Sequence, residues 1–203
     1  MNTIQNKFKP PKRHSGYFSL NAGLSLVELI VTVAILGILA SVAAPNILNW
    51  LPNLRLKNAA RDVYSTFQKA RLLAVKQNVT VRVRFDTTVN PGFYFIDIDN
   101  SGTVNQPDEY QMNLSAYGSG VNFGFPAGLV DWNGGAIATS VTFPGGPPRF
   151  CTYNSNGTSG AGTIYLVNSQ ASIVYAITTV TSGAVKMRKY NGILPFHKRN
   201  WIE

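Results

Sequence analysis

Gly23 to Pro45 reads G-LSLVELIVTVAILGILASVAA-P, and this stretch decides how the rest of the chain is read. The 21 residues from Leu24 to Ala44 are apolar or small, and Glu28 is the one charge among them. As a helix rising 1.5 Å per residue, the run is about 31 Å long, enough to cross the hydrocarbon core of a bilayer. A carboxylate in such a span costs about 2.5 kcal/mol or more near the bilayer centre, so it calls for a partner. Glu28 stands four residues after Leu24, beside the Gly23 junction, and Lys7, Lys9, Lys12 and Arg13 precede that junction with no acid among them.

Gly23 with the run behind it resembles the class III signal of type IV pilins and type II secretion pseudopilins. The resemblance implies that a prepilin peptidase cuts between Gly23 and Leu24, that Leu24 becomes the N-methylated N-terminus, and that Glu28 serves assembly. It also implies partners: the peptidase, the inner membrane and other pilin or pseudopilin subunits. Leu24 stands where the family usually has Phe. The charges fit the scheme. A free amine at Leu24 and the Glu28 carboxylate of an adjacent chain have opposite signs, so pairing leaves neither alone in lipid and sets helix register. Two plainer readings remain beside it: an ordinary anchor with an interfacial Glu, or a secretory signal cut near Ala43 or Ala44.

Residues 1–23 read as a cytoplasmic leader, 24–53 as the membrane helix and its exit, and 54–203 as one globular domain of roughly 150 residues. Basic residues ahead of a first span hold that end in the cytoplasm, which places the domain in the periplasm. Removing the leader takes four of the 18 Lys and Arg residues and none of the nine acids, so the formal charge falls from +9 to +5. Much of the basic balance is therefore a targeting feature. Cys151 is the only cysteine, which excludes an intramolecular disulfide and reads as a small core residue.

From Leu54 to Gln77 the apolar residues Leu56, Ala59, Ala60, Val63, Tyr64, Phe67, Ala70 and Ala74 recur at three- and four-residue steps, an amphipathic helix with a face for a sheet. Pro45 and Pro52 are expected to kink or interrupt the path between the two helical halves. After Gln77 the period changes to two: Val79, Val81, Val83 and Phe85 alternate with Thr80, Arg82 and Arg84. Gly92–Ile98, Val121–Phe125 and Ile137–Phe143 are further candidate strands, and Thr163–Asn168, Ser172–Thr179 and Ala184–Tyr190 read as a three-strand meander. The fold class is α+β, a long N-terminal helix packed on antiparallel sheet. The order ARLLAVKQN, VTVRVRF, then GTIYLVNS, IVYAITTV and SGAVKMRKYNG resembles the FimT/GspH-type pseudopilins and implies the pilin-like version of that fold.

Two constellations carry chemistry of their own. Asp97, Asp99 and Ser101 offer oxygens at the first, third and fifth places of a loop, Gly102 stands sixth and Asp108 twelfth, the spacing of a calcium loop. Asp108 stands where Glu is usual, and Glu109 is a substitute in reach. A plain Asp/Asn/Gly turn joining two strands is the competing reading. Near the C-terminus, Lys186, Arg188, Lys189, His197, Lys198 and Arg199 are interleaved with Tyr190, Phe196 and Trp201. Cations among aromatics suit a nucleic-acid backbone and its bases. FimT-like minor pilins of competent bacteria resemble this region, with Gly-Arg-x-Arg on the last strand, whereas Gly183-Ala184-Val185-Lys186 here lacks the first Arg. A solvent-facing strand and a contact for another subunit explain the same residues. Catalysis finds little support: His197 and Cys151 are the mature chain's one histidine and one cysteine, with no metal-ligand spacing, nucleophile elbow or phosphate loop around them.

Overall fold

The computed structural model describes residues 25–192 and 197–203. The chain divides into two compact units at Ala44 and Pro45. Helix α1 spans Leu26–Gln77, 52 residues. Its helical pattern continues through Pro45 and Pro52, so neither proline interrupts it. A proline removes one N–H and crowds the carbonyl four residues back, but the flanking residues keep their own bonds and the helix resumes. The last turn closes by a Schellman motif: Asn78 adopts φ +56°, the Asn78 N–H donates to Val75 O at 3.4 Å, and the Val79 N–H to Ala74 O at 3.1 Å.

In the second unit the expected helical face is the buried one. Leu56, Ala59, Ala60, Val63, Phe67, Ala70 and Ala74 have no solvent exposure. They pack against two antiparallel sheets. The first contains β1 (Val81–Asp86), β2 (Phe93–Asp97), β3 (Gln111–Asn113) and β5 (Arg149–Tyr153), in the order β3-β2-β1-β5. The second contains β4 (Asn122–Phe123), β6 (Gly162–Val167), β7 (Val174–Thr179), β8 (Val185–Tyr190) and β9 (Trp201–Ile202), in the order β4-β6-β7-β8-β9. The meander read from the sequence is β6-β7-β8, in register from Val167↔Val174 through Val174↔Tyr190.

One core joins α1 to both sheets: Val81, Val83 and Phe85 of β1, Tyr94 and Ile96 of β2, Cys151 and Tyr153 of β5, Ile164 and Leu166 of β6, Tyr175 and Ile177 of β7. Phe67 sits at its centre, with ring centroids 5.7 Å from Phe85, 5.9 Å from Phe143 and 6.3 Å from Tyr153. A smaller cluster of Leu129, Tyr165, Val174, Ala176 and Tyr190 covers the other face of the second sheet. That sheet is buried on both sides, so VYAITT shows no polar alternation.

Ile137–Phe143 does not form the expected strand. It contributes one isolated bridge, Val141↔Ile164, before Pro144-Gly145-Gly146 ends the pairing. Val79 lies outside β1 because it completes the cap of α1. Gly183 shows why the β7–β8 turn needs glycine: its φ is +79°, and a Cβ there would meet Gly157 O at 1.9 Å.

The core generates two expectations. Phe67→Ala removes the ring shared by three aromatic partners and is expected to cost about 3–5 kcal/mol, read from denaturant unfolding of the full-length protein in detergent. The second concerns alkali. Burial pushes the Cys151 thiol from its ordinary 9.0 up to about 12, and burial likewise pushes Tyr94 from 10.0 up to about 12. Both groups keep their proton longer when folded, so their contribution is complete below the unfolded values and is lost as pH rises towards the folded ones. Stability is expected to fall from about pH 9 upward, and Cys151→Ala to flatten the first part of that decline in unfolding curves taken between pH 8 and 12.

Candidate functional site

The first unit carries the assembly candidate. Leu26–Ala44 is one helical run of 19 residues, long and apolar enough to cross a membrane, and its side chains are exposed. Its hydroxyls are satisfied by their own helix: Thr32 Oγ1 donates to Leu29 O at 2.9 Å and Ser41 Oγ to Ile38 O at 2.7 Å. No polar debt is left for lipid to settle at those positions. Glu28 lies exposed in the first turn. An acid there also meets the positive end of the helix dipole. Gly23 and Leu24, the expected cleavage and methylation positions, lie outside the described residues.

The acidic loop joins β2 to β3. Asp97 closes β2 and is fully buried, and its Oδ2 accepts from the Arg84 Nε–H and, at 3.1 Å, from the Gly102 N–H. Asp99 is exposed: its Oδ1 accepts the Ser101 N–H at 2.9 Å and its Oδ2 the Asn105 Nδ2–H at 3.0 Å. Hydrogen bonding from Ser101, first, and then from Asn105 and Gln106 holds the Asp99 carboxyl well below the usual carboxylate range. Glu109 folds back under the loop. Its Oε1 accepts the Ile98 N–H at 2.7 Å, and its Oε2 accepts the Asn105 and Gln106 N–H groups at 2.7 and 2.9 Å.

Carboxylate oxygens of Asp97, Asp99 and Glu109 lie within 4.8 Å of one another. Two members of the expected set are engaged elsewhere. Asp108 Oδ2 accepts from Gln77 Nε2 at 3.3 Å, at the end of α1, and Ser101 Oγ donates to Thr103 O at 3.1 Å. The acid that returns to the site is the thirteenth residue of the loop, not the twelfth. No helix follows the loop to lift the twelfth residue inward; β3 follows instead. In the sequence the signal for Glu109 was its place beside Asp108, and spacing could not choose between neighbours.

The C-terminal basic set is divided. Lys186 and Arg188 face one side of β8, opposite Thr178 and Ala176 of β7. Lys189 faces the other side and lines a pocket with Lys57, Tyr175, Met187, Ile202 and Glu203. The Arg188 guanidinium lies 4.6 Å from the Trp132 ring and donates to Glu203 Oε1 at 2.5 Å, and Lys186 Nζ is 3.7 Å from the same carboxylate. Trp132 packs edge-on against Trp201, centroids 5.9 Å apart, and Trp201 Nε1–H donates to Val130 O at 2.9 Å. Of the aromatics read as base platforms, Tyr190 is buried within the second cluster and Trp201 packs against it, while Arg188 lies over Trp132. His197, Lys198 and Arg199 are exposed, while Phe196 lies outside the described residues. Neither Trp132 nor Glu203 has a sequence signal linking it to Arg188; only the fold brings them together.

Comparison with known proteins follows these divisions. Residues 59–183 match the family model described as Type II transport protein GspH, and residues 19–44 match the prokaryotic N-terminal methylation motif. The pilin-like protein PilA1 of Thermus thermophilus is 30% identical over 99 residues, 48% of this chain and 61% of that relative's length. Among solved structures, the type IV minor pilin FimU of Pseudomonas aeruginosa aligns with a TM-score of 0.43 at 15% identity, over 66% of this chain and 89% of that one. The match at 59–183 covers α1 beyond Asn58 and the strands through β7, more than half of the chain. The chain belongs to the GspH family of pilin-like proteins and carries that class's N-terminal methylation motif and apolar anchor-type helix.

Proposed function

We propose that the chain is a minor pseudopilin, a structural subunit that enters a type II secretion pseudopilus through its N-terminal helix and supports protein export. The observation that carries the reading is Glu28 alone in the first turn of an otherwise uncharged apolar helix, joined in one chain to a GspH-type domain. In this reading prepilin peptidase cuts at Gly23 on the cytoplasmic side and the Leu24 amine is methylated. The helix is held in the inner membrane with residues 54–203 in the periplasm, matching the basic leader at Lys7, Lys9, Lys12 and Arg13. On assembly, Glu28 meets the N-terminal amine of the adjacent subunit, which cancels two charges that lipid would otherwise oppose.

A second reading, a minor type IV pilin acting in pilus assembly or DNA uptake, takes support from the likeness to a pilin-like protein. For DNA contact the β8 arrangement is unhelpful, because Arg188 is committed to Trp132 and Glu203 and Lys189 faces away from it. Deletion separates the two: loss of exported enzymes from the medium supports the pseudopilin, and loss of twitching or of DNA uptake with export intact supports the pilin.

Processing is expected to yield a mature chain beginning at Leu24, seen by N-terminal peptide mass spectrometry; a start near Ala44 contradicts the proposal. Glu28→Ala is expected to leave insertion and cleavage unchanged, since it removes a cost in lipid. Its incorporation into sheared filaments is expected to drop at least about tenfold, the equivalent of about 1.4 kcal/mol per subunit joined. Normal incorporation contradicts the pairing.

A further inference from the structure

The β2–β3 loop presents three carboxylates to one small volume, and the secretion reading has no use for them. Oxygens from Asp97, Asp99 and Glu109 come within 4.8 Å of one another. Like charges so close repel unless something positive lies between or beside them. Arg84 supplies one positive charge, through Asp97 Oδ2. Arg82, across the ladder from Asp97, lies with its guanidinium 4.8 Å from the Phe150 ring.

Asp97 brings a second, independent observation. The residue has no solvent exposure, yet its Oδ1 has no hydrogen-bond partner. A buried carboxylate oxygen is normally paired, because its desolvation is otherwise uncompensated. This one belongs to the carboxylate that converges with Asp99 and Glu109. The hydrogen bonds already made do not close the site, since each carboxylate oxygen has more than one lone pair. Glu109 is held in place by three backbone N–H groups, which fixes a ligand before any ion arrives. Asp99 is exposed and gives the site its entrance.

We propose that Asp97, Asp99 and Glu109 bind a divalent cation, and that the cation is calcium. The donor set is all oxygen, with no imidazole or thiolate, which selects a hard ion. Three carboxylates against the bonded Arg84 leave two negative charges, the complement of a divalent ion. Two of the three ligands stand on an irregular loop, whose spacing suits the loose six- to eight-fold coordination of calcium better than the strict octahedron of magnesium. Ligation supplies the missing partner of Asp97 Oδ1 and ties the loop to the end of β2. Through Asp108 and Gln77 the same loop reaches the end of α1, so the ion stiffens the region where helix and first sheet meet.

The test uses the full-length protein in detergent, with calcium chloride as the ligand and a chelator as the reference. Calcium at millimolar concentration is expected to raise Tm by about 3 °C or more, as mass action on the folded state requires. Terbium is expected to give luminescence sensitised by Tyr110, displaced by calcium. Asp99→Asn is expected to remove both responses, each variant's own chelated Tm being the reference, and Asp108→Asn to keep them. Equal Tm in calcium and chelator with no terbium signal overturns the proposal. A response that survives both Asp99→Asn and Glu109→Gln places the ion elsewhere and also overturns it, as does a response lost in Asp108→Asn. An equal shift with magnesium at the same concentration overturns the choice of calcium.

Discussion

The buried face of α1 from Leu56 to Ala74 is the surface on which everything in the second unit is assembled. Neither sheet meets the other through ladder bonds; each meets the helix and the aromatic layer around Phe67. The small residues Ala59, Ala60, Ala70 and Ala74 let strands approach the helix closely, while Leu56, Val63 and Phe67 fill the space between them. Two polar pairs bridge this boundary. Thr66 Oγ1 is 2.6 Å from the Tyr110 hydroxyl, and the Tyr117 hydroxyl donates to Asp62 Oδ2 at 2.6 Å. Those bonds fasten the segment after the acidic loop onto the helix. Register along α1 therefore fixes both the core and the place of the loop.

The periodic parts of this architecture are legible in the amino-acid order. The helical face and β1 repeat a simple period, while β2, β6 and β7 are runs rich in β-branched and aromatic residues bounded by turn signals. What escapes is short or set by contacts distant in sequence. β3 and β9 are three and two residues long, below the length at which alternation means anything. β5, RFCTY, follows two prolines and is not among the candidate strands of the sequence, yet pairing with β1 from Val81↔Tyr153 to Phe85↔Arg149 makes it a strand. Ile137–Phe143 has strand composition, but its partner strand β6 is already bonded to β4 and β7, so only a bridge forms. The continuation of the helix past Pro45 follows from the apolar spacing on both sides of it, and Pro52 does not end it either.

The candidate sites divide in the same way. Glu28 is visible from sequence because its meaning lies in what surrounds it in the chain. For the acidic loop, spacing groups Asp97, Asp99 and Asp108, whereas in the fold Asp97 and Asp99 converge with Glu109 and Asp108 turns towards Gln77. For the basic strand, composition located the cations but not their partners. Arg188 is neutralised by Glu203, 15 residues away, and covered by Trp132, which lies before the meander begins. Of the positive residues in this region, Lys186 and Arg188 of β8 lie against Glu203 and Arg188 also against Trp132.

The proposed role requires the first unit to pack against its counterpart in another subunit, with Glu28 at the contact. Site-specific photocrosslinking in cells from Val27 and Leu29, which flank Glu28, tests this most directly. Pairing through Glu28 is expected to give adducts with another subunit bearing the same N-terminal motif, lost when Gly23 is changed so that the leader stays on. Crosslinking to lipid alone, or adducts indifferent to the leader, would contradict it.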